Sequence, residues 1–222
     1  MRRTMAKASV ITALNLLYFA LIGTALLALT YQLTHDAIAR SEEAEKLKQI
    51  TQIVLPDMYD NDIINDTAEL SADKLLGNDE PTVVYRGRLK GQPSIAVMQV
   101  IAPDGYSGKI SLIIAINSEG SGNGKISGVR VISHKETPGL GDYIEIARNK
   151  WITLFNGTSL ENPKDSDWKV KKDGGQFDYM AGATITPRAV VKAVHKALQY
   201  YAQHHDEMFK QHIPSQGETR KS

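Results

Sequence analysis

Asp178-Tyr-Met-Ala-Gly-Ala-Thr-Ile-Thr-Pro-Arg188 joins a turn to a helix start, and its reading decides the rest of the chain. A flexible Ala181-Gly182-Ala183 turn presents Thr184. Thr186 suits the cap of the helix that follows, and Pro187 suits its first position, where a missing N–H costs nothing. From Ala189 to His204, the residues Val190, Val191, Val194, Leu198 and Tyr201 recur at helical spacing and give the helix one apolar face. The start of such a helix is an anion site, because its first N–H groups are unpaired and its dipole is positive there. A threonine hydroxyl beside an anion site is a place to carry a phosphate ester. On local physics alone, the same string also reads as an ordinary entry into a helix.

Upstream lies His134-Lys-Glu-Thr-Pro-Gly-Leu-Gly-Asp142, and further upstream Gly105-Tyr-Ser-Gly-Lys-Ile110. Taken singly, these are a Pro-Gly turn between a strand and a helix, and a hairpin turn. Together and in this order, the three strings resemble a known family. Asp178-x-x-Ala181-Gly182-Ala183-Thr184 resembles the Asp-x-x-Ser/Thr-Gly-Ala-Thr flavinylation motif of the FMN-binding domain family. That domain is shared by the G subunits of Rnf complexes and the C subunits of sodium-pumping NADH:quinone reductases. The 134–142 string is similar to the family's His-x-Glu-Thr-Pro-Gly-Leu-Gly loop.

The resemblance implies FMN joined through its phosphate to Thr184 by a flavin transferase, with Thr186 as the near competitor. It assigns Asp178, Gly182 and Ala183 to the attachment motif. Glu136, Thr137, Gly139 and Leu140 fall in the loop against the flavin ring, and Tyr106 is placed to stack on or edge the ring. Gly139 and Gly141 would let backbone approach a flat ring, Pro138 would stiffen the loop, and backbone amides and Thr137 would bond ring carbonyls and nitrogens. Ala181 departs from the pattern, which has Ser or Thr there; one hydroxyl is lost while the Gly-Ala-Thr core remains. Arg188 reads either as a neutraliser of the phosphodiester or as an exposed helix arginine.

The function implied is that of an electron-transfer subunit in a membrane ion-pumping oxidoreductase of the Rnf type, with electrons passing between ferredoxin and NAD. The C subunit of the quinone reductase is the near alternative; the short segment between anchor and first strands favours Rnf. A reading of another class is a membrane-anchored, non-redox binding module, which would be colourless. No catalytic constellation argues for a self-contained reaction: Gly-x-Ser-x-Gly, His-Glu-x-x-His and a Rossmann fingerprint are all missing, so NADH is expected to bind elsewhere in a complex.

Composition narrows the classes further. The formal net charge is +1 over 222 residues, so nucleic acid is not a favoured partner. There is no cysteine, which excludes disulfides, thiolate nucleophiles, and iron–sulfur or zinc sites held by thiolates. No metal site is expected. From Ala8 to Thr34 the chain carries no Lys, Arg, Asp, Glu or His, and its core is long enough to span a bilayer as a helix in contact with lipid. Arg2, Arg3 and Lys7 precede it, which by the positive-inside tendency keeps the N-terminus cytoplasmic and sends the rest to the periplasmic side of the inner membrane. The rival is a cleaved signal peptide; against it, the run exceeds an ordinary h-region and no clear Ala-x-Ala site follows.

The expected layout is a stub and transmembrane helix over 1–34, an amphipathic helix and loop linker over 35–80, an FMN-binding domain over 81–212 and a mobile tail over 213–222. Ala37, Ile38, Ala44, Leu47, Ile50 and Val54 give a helical stripe that ends before Pro56; Asp57 to Glu80 reads as acidic loop. Val- and Ile-rich runs predict strands over Thr82–Arg88, Ile95–Ile101, Lys109–Asn117 and Lys125–Ile132, with a glycine-rich hairpin loop over 118–124. Asp142–Phe155 reads as a helix with Ile144, Ala147, Trp151 and Phe155 on its core stripe, and Trp168–Val170 as a short strand. The fold class is α+β: one transmembrane helix followed by one domain with an antiparallel sheet.

Overall fold

In a computed structural model, the backbone of residues 2–118 and 123–210 is described, with the side chains of 11–34, 47–118 and 123–210. The glycine-rich loop expected over 118–124 lies partly outside these residues, and the polar tail lies entirely outside them. Two compact units divide at Lys46 and Leu47.

The first unit is helical. Helix α1 runs Arg2–Thr51, and its Ile11–Thr34 stretch is long and apolar enough to cross a membrane. Thr24 and Thr30 spend their hydroxyls on their own helix, donating to the carbonyls of Ala20 and Leu26 at 2.8 Å. Of the stripe expected after the span, Ala37, Ile38 and Ala44 lie outside the described side chains. Leu47 is exposed, and Ile50 is fully buried in the second unit.

The second unit is built on a five-stranded antiparallel meander: β1 (Thr67–Leu70), β2 (Thr82–Leu89), β3 (Gln92–Ala102), β4 (Ile110–Asn117) and β5 (Lys125–Ser133). The four Val- and Ile-rich runs form β2 to β5 as expected. β1 falls inside the stretch read as loop, because four residues with one strong β former leave no periodic signal; Leu70 alone is buried there. Lys90 and Gly91, both with positive φ, make the tight β2–β3 turn, a conformation that matches the twist of the strands.

Side-chain parity sends the sheet into two cores. Ala96, Met98 and Val100 of β3, with Leu112, Ile114 and Ile116 of β4, enter a large core; Ile95 and Val97, with Ile113 and Ala115, enter a smaller one. Helix α2 (Ile185–Phe209) covers the large core, and Val190, Val191, Val194, Leu198 and Tyr201 are all buried as its spacing requires. Ile50, Ile53, Val54 and Ile63 close the smaller core.

Asp142–Phe155 is not one helix. It forms two 3-10 turns, Gly141–Ile144 and Lys150–Phe155, separated by extended backbone at Glu145 and Asn149. The side chain of Asn149 accepts from the Trp151 N–H at 2.9 Å and restarts the helical turn, a local bond that competes with continuous helix. Ile144, Trp151 and Phe155 still reach the core, whereas Ala147 is exposed. Trp168–Val170 yields a single bridge, Val170 with Phe177.

Candidate functional site

Two turns of the same design face each other. In Thr137-Pro-Gly-Leu140, the Leu140 N–H returns to the Thr137 carbonyl at 3.1 Å, with Gly139 at φ 77°. In Met180-Ala-Gly-Ala183, the Ala183 N–H returns to the Met180 carbonyl at 3.1 Å, with Gly182 at φ 87°. Both place glycine third, where positive φ is demanded; the first also places proline second, where its fixed φ is preset. Between them opens a cleft of about 200 Å³ lined by Tyr106, Glu136, Thr137, Leu140, Gly141, Gly182, Ala183, Thr184, Ile185 and Thr186. Eight of the ten residues singled out in the sequence line it; Gly139 and Asp178 do not.

Glu136 is the tie of the site. It is 4% exposed; one carboxylate oxygen accepts the Ser107 N–H at 3.0 Å and the other bonds the Thr186 hydroxyl at 2.5 Å. It thereby joins the 105–108 turn, the 134–142 loop and the first turn of α2. Gly141 makes room for it: a Cβ there would stand 2.7 Å from a Glu136 oxygen and 3.0 Å from the Thr186 hydroxyl. The glycine expected to admit a flat ring thus admits a carboxylate. His134 orients the loop. Its Nδ1 accepts the Glu136 N–H at 2.9 Å, so the ring proton belongs on Nε2, which lies 2.6 Å from Glu145.

Helix α2 begins two residues earlier than expected. Ile185 is its first residue and Thr184 takes the cap position with helical backbone angles. Thr186 is therefore not the cap, and Pro187 is third rather than first. The shift costs no hydrogen bond, since none of the first four N–H groups has a partner within the helix. Its consequence falls on the two threonines. Thr186 is 1% exposed with its hydroxyl bound to Glu136, whereas the Thr184 side chain makes no capping bond and lines the cleft.

The charged residues of the string are held elsewhere. Asp178 pairs with Lys171 at 2.5 Å, and its carbonyl accepts the Trp151 indole N–H at 2.7 Å. Arg188 forms a two-pronged pair with Asp173 at 2.5 and 2.6 Å, which holds that exposed carboxylate below its ordinary range and raises the guanidinium in turn. Lys192 pairs with Asp104. Neither Arg188 nor Lys192 lines the cleft.

A second, more open cleft of about 580 Å³ is walled by the preceding residues of the same segment. Tyr143, Asn149, Lys150, Trp151, Thr153, Leu154 and Asp178 to Ala181 line it. Burial pushes the Tyr143 hydroxyl up to about 12, slightly opposed by the Met180 N–H. Trp151 lies in the core, edge-on to Tyr143 and Phe155, as its stripe predicts. Sequence reading missed this cleft, and it missed Ile185 and Ser107 at the first. Ser107 contributes only a backbone N–H, which no residue type betrays.

Among the described residues, no group of three or more His, Asp or Glu is arranged to hold a metal ion. Residues 105–199 match the FMN-binding domain family, and residues 1–53 match the RnfG N-terminal region. The G subunit of an ion-translocating oxidoreductase complex from Pseudomonas aeruginosa is 47% identical over 200 residues, covering 90% of each chain. The G subunits of such complexes from Aliivibrio fischeri and Vibrio cholerae are each 43% identical, covering 99% and 92% of this chain and 100% and 96% of their own. Identity at this level along nearly the whole length, the apolar N-terminal helix included, means that the chain belongs to the family of G subunits of ion-translocating oxidoreductase complexes.

Proposed function

We propose that this chain is the FMN-carrying electron-relay subunit of a membrane ion-translocating oxidoreductase, with the flavin esterified through its phosphate to Thr184. The observation that carries the reading is the unspent Thr184 hydroxyl, at the start of a 25-residue helix and on the wall of a cleft built by the two glycine turns. The donor set suits FMN. Thr184 supplies the ester oxygen, and the free N–H groups of the first turn of α2 offer partial positive charge to a phosphate. Thr137 supplies hydrogen bonds, the Gly139, Leu140 and Gly141 N–H groups being held by Asp142 and the Thr137 carbonyl, and Tyr106, Leu140 and Ile185 supply exposed apolar surface for a ring. A cleft of about 200 Å³ is below the roughly 300–1,000 Å³ that engulfs a ligand, so part of the flavin stays at the surface, where a redox partner reaches it.

FMN gives and takes one or two electrons, so it links carriers of different electron number. The protein's part is to hold and orient. Glu136 keeps the three cleft segments in register, Thr184 fixes the phosphate end, and the ester prevents loss of the cofactor outside the cytoplasm. Arg2, Arg3 and Lys7 before the apolar span orient the domain to the periplasmic side, with the anchor retained in the lipid. Ferredoxin and NAD are the terminal carriers, served by other subunits, and a flavin transferase matures this one.

The test is intact mass and peptide mapping of the full chain co-produced with a flavin transferase. A gain of FMN less one water on the peptide containing Thr184, absent in Thr184→Ala and present in Thr186→Ser, is expected. An adduct that survives Thr184→Ala overturns the assignment.

A further inference from the structure

The surface around the two clefts is apolar and basic at once. Tyr106, Leu140 and Ile185 stand exposed at the first cleft, 68%, 47% and 45% respectively, and Leu154 and Tyr179 stand exposed at the second. The segment from Asp178 to Thr186 is a wall of both, so these side chains flank one strip of chain.

The carboxylates of this region are engaged. Glu136 bonds Ser107 and Thr186, Asp142 accepts the Gly139 N–H, and Glu145 lies against His134. Asp173 is held by Arg188, and Asp178 by Lys171. The cations are in excess. Lys150 on the rim of the second cleft has no ion-pair partner among the described residues, and Lys169 and Lys172 add to Arg188 around the single Asp173. The near-zero net charge of the chain hides this asymmetry. Residues 57–80 hold eight Asp or Glu and one Lys, whereas residues 148–196 hold nine Lys or Arg and five Asp or Glu.

We propose that the surface carrying the two clefts is the docking face for a protein partner that is acidic around an apolar patch. The proposal goes beyond the flavin reading and does not need it. Exposed aromatic and aliphatic groups at the centre with charge outside them is the anatomy of a protein interface, and excess charge of one sign steers a partner of the other. A protein is favoured over an anionic bilayer because Leu154 and Tyr179 line the concave second cleft, which the flavin reading leaves open and which side chains enter and a membrane plane does not.

The test places the photo-cross-linker p-benzoylphenylalanine at Leu154 or Tyr179 in the full chain, in native membranes. Leu89, exposed on β2, is the control position. Cross-links to a protein are expected at 154 and 179 and not at 89, with the captured peptide rich in Asp or Glu. Lys150→Glu with Lys172→Glu is expected to lower the yield on the order of tenfold, with Lys→Gln at both positions intermediate. Both lysines are exposed, so melting midpoints are expected to stay at the parent value and to exclude misfolding. Cross-links to lipid alone, equal yield at Leu89, or indifference to charge reversal overturns the proposal. Flavin content measured on the same samples separates the two readings. Charge-dependent cross-links from a chain unmodified at Thr184 overturn the flavin reading and leave the docking face intact.

Discussion

The two faces of the sheet are built from different chemistry. On one, aliphatic residues dominate: Ile50, Ile53, Val54, Ile63, Ile95, Val97, Ile113 and Ala115 form a small core with the end of α1 and the segment that follows it. On the other, α2 and the 3-10 turns close over an aromatic cluster in which Phe155 stacks on Phe177 at 4.9 Å and Trp168 stacks on His195 at 4.9 Å. Every residue of the candidate cofactor cleft hangs from the second face or its loops. β-Branched side chains have few rotamers and pack as a stiff platform. Turns with glycine at positive φ and a buried carboxylate as tie make a shaped cleft instead. One face is a stiff aliphatic platform and the other carries the candidate cleft, and substitutions are expected to separate the two properties.

The largest separation is expected between Thr184→Ala and Ile63→Ala. Thr184→Ala removes one hydroxyl that makes no capping bond, so covalent flavin is lost completely while the melting midpoint stays within experimental scatter of the parent. Ile63→Ala empties a fully buried site and is expected to cost about 2–5 kcal/mol, with the folded fraction still taking up flavin. Denaturant unfolding together with flavin absorbance per mole of folded protein reads both. Loss of flavin from folded Ile63→Ala protein would show that the platform shapes the cleft and would break the division.

Next in size is Gly128→Ala. The segment after α1 approaches β5 closely at this glycine, and an added Cβ would lie 2.8 Å from the Ile53 Cβ and 3.1 Å from its Cα. Backbone must move, and a loss of about 1–3 kcal/mol is expected, read as a lower denaturant midpoint at unchanged slope. An unchanged midpoint would mean that the small core is looser than its burial indicates.

The same division explains what could be read in the sequence. Strands β2 to β5 and the core face of α2 were legible because repeated apolar residues carry a period. The residues that line the candidate cleft were named through the resemblance of three strings to a family, since each turn taken singly reads as an ordinary turn. Three features escaped. β1 is too short for a period. The break in 142–155 depends on the Asn149 side chain bonding its own backbone, a local choice that the stripe of Ile144, Trp151 and Phe155 does not report. The start of α2 at Ile185 follows from Thr186 turning its hydroxyl to Glu136, fifty residues away in sequence, a tertiary bond that outweighs capping preference. Glu136 was recognisable as a motif residue; its role as the tie between three segments was not, because the Ser107 N–H and the Gly141 clearance exist only once the chain is folded.

The smallest expected effect belongs to His195, on the aromatic side. Its ring stacks on Trp168 at an interplanar angle of 11°, its Nε2 lacks a hydrogen bond, and Asp165 lies 3.1 Å away without bonding geometry. Burial holds the imidazole below its ordinary 6.5, and the Asp165 charge opposes this only in part. The folded protein therefore binds this proton less readily than the unfolded chain. Stability from this group is fully present above the ordinary value, declines as pH falls through it, and levels off below the lowered folded value. His195→Phe keeps a stacked ring and removes the proton, so its melting midpoint is expected to fall less than the parent's between about pH 7.5 and 5.5. Among the described residues the smaller core holds no histidine, and Ile63→Val is expected to retain the full parental slope. Identical slopes in the parent and His195→Phe would mean that Asp165 offsets the burial completely and that the aromatic face carries no pH sensitivity of its own at this position.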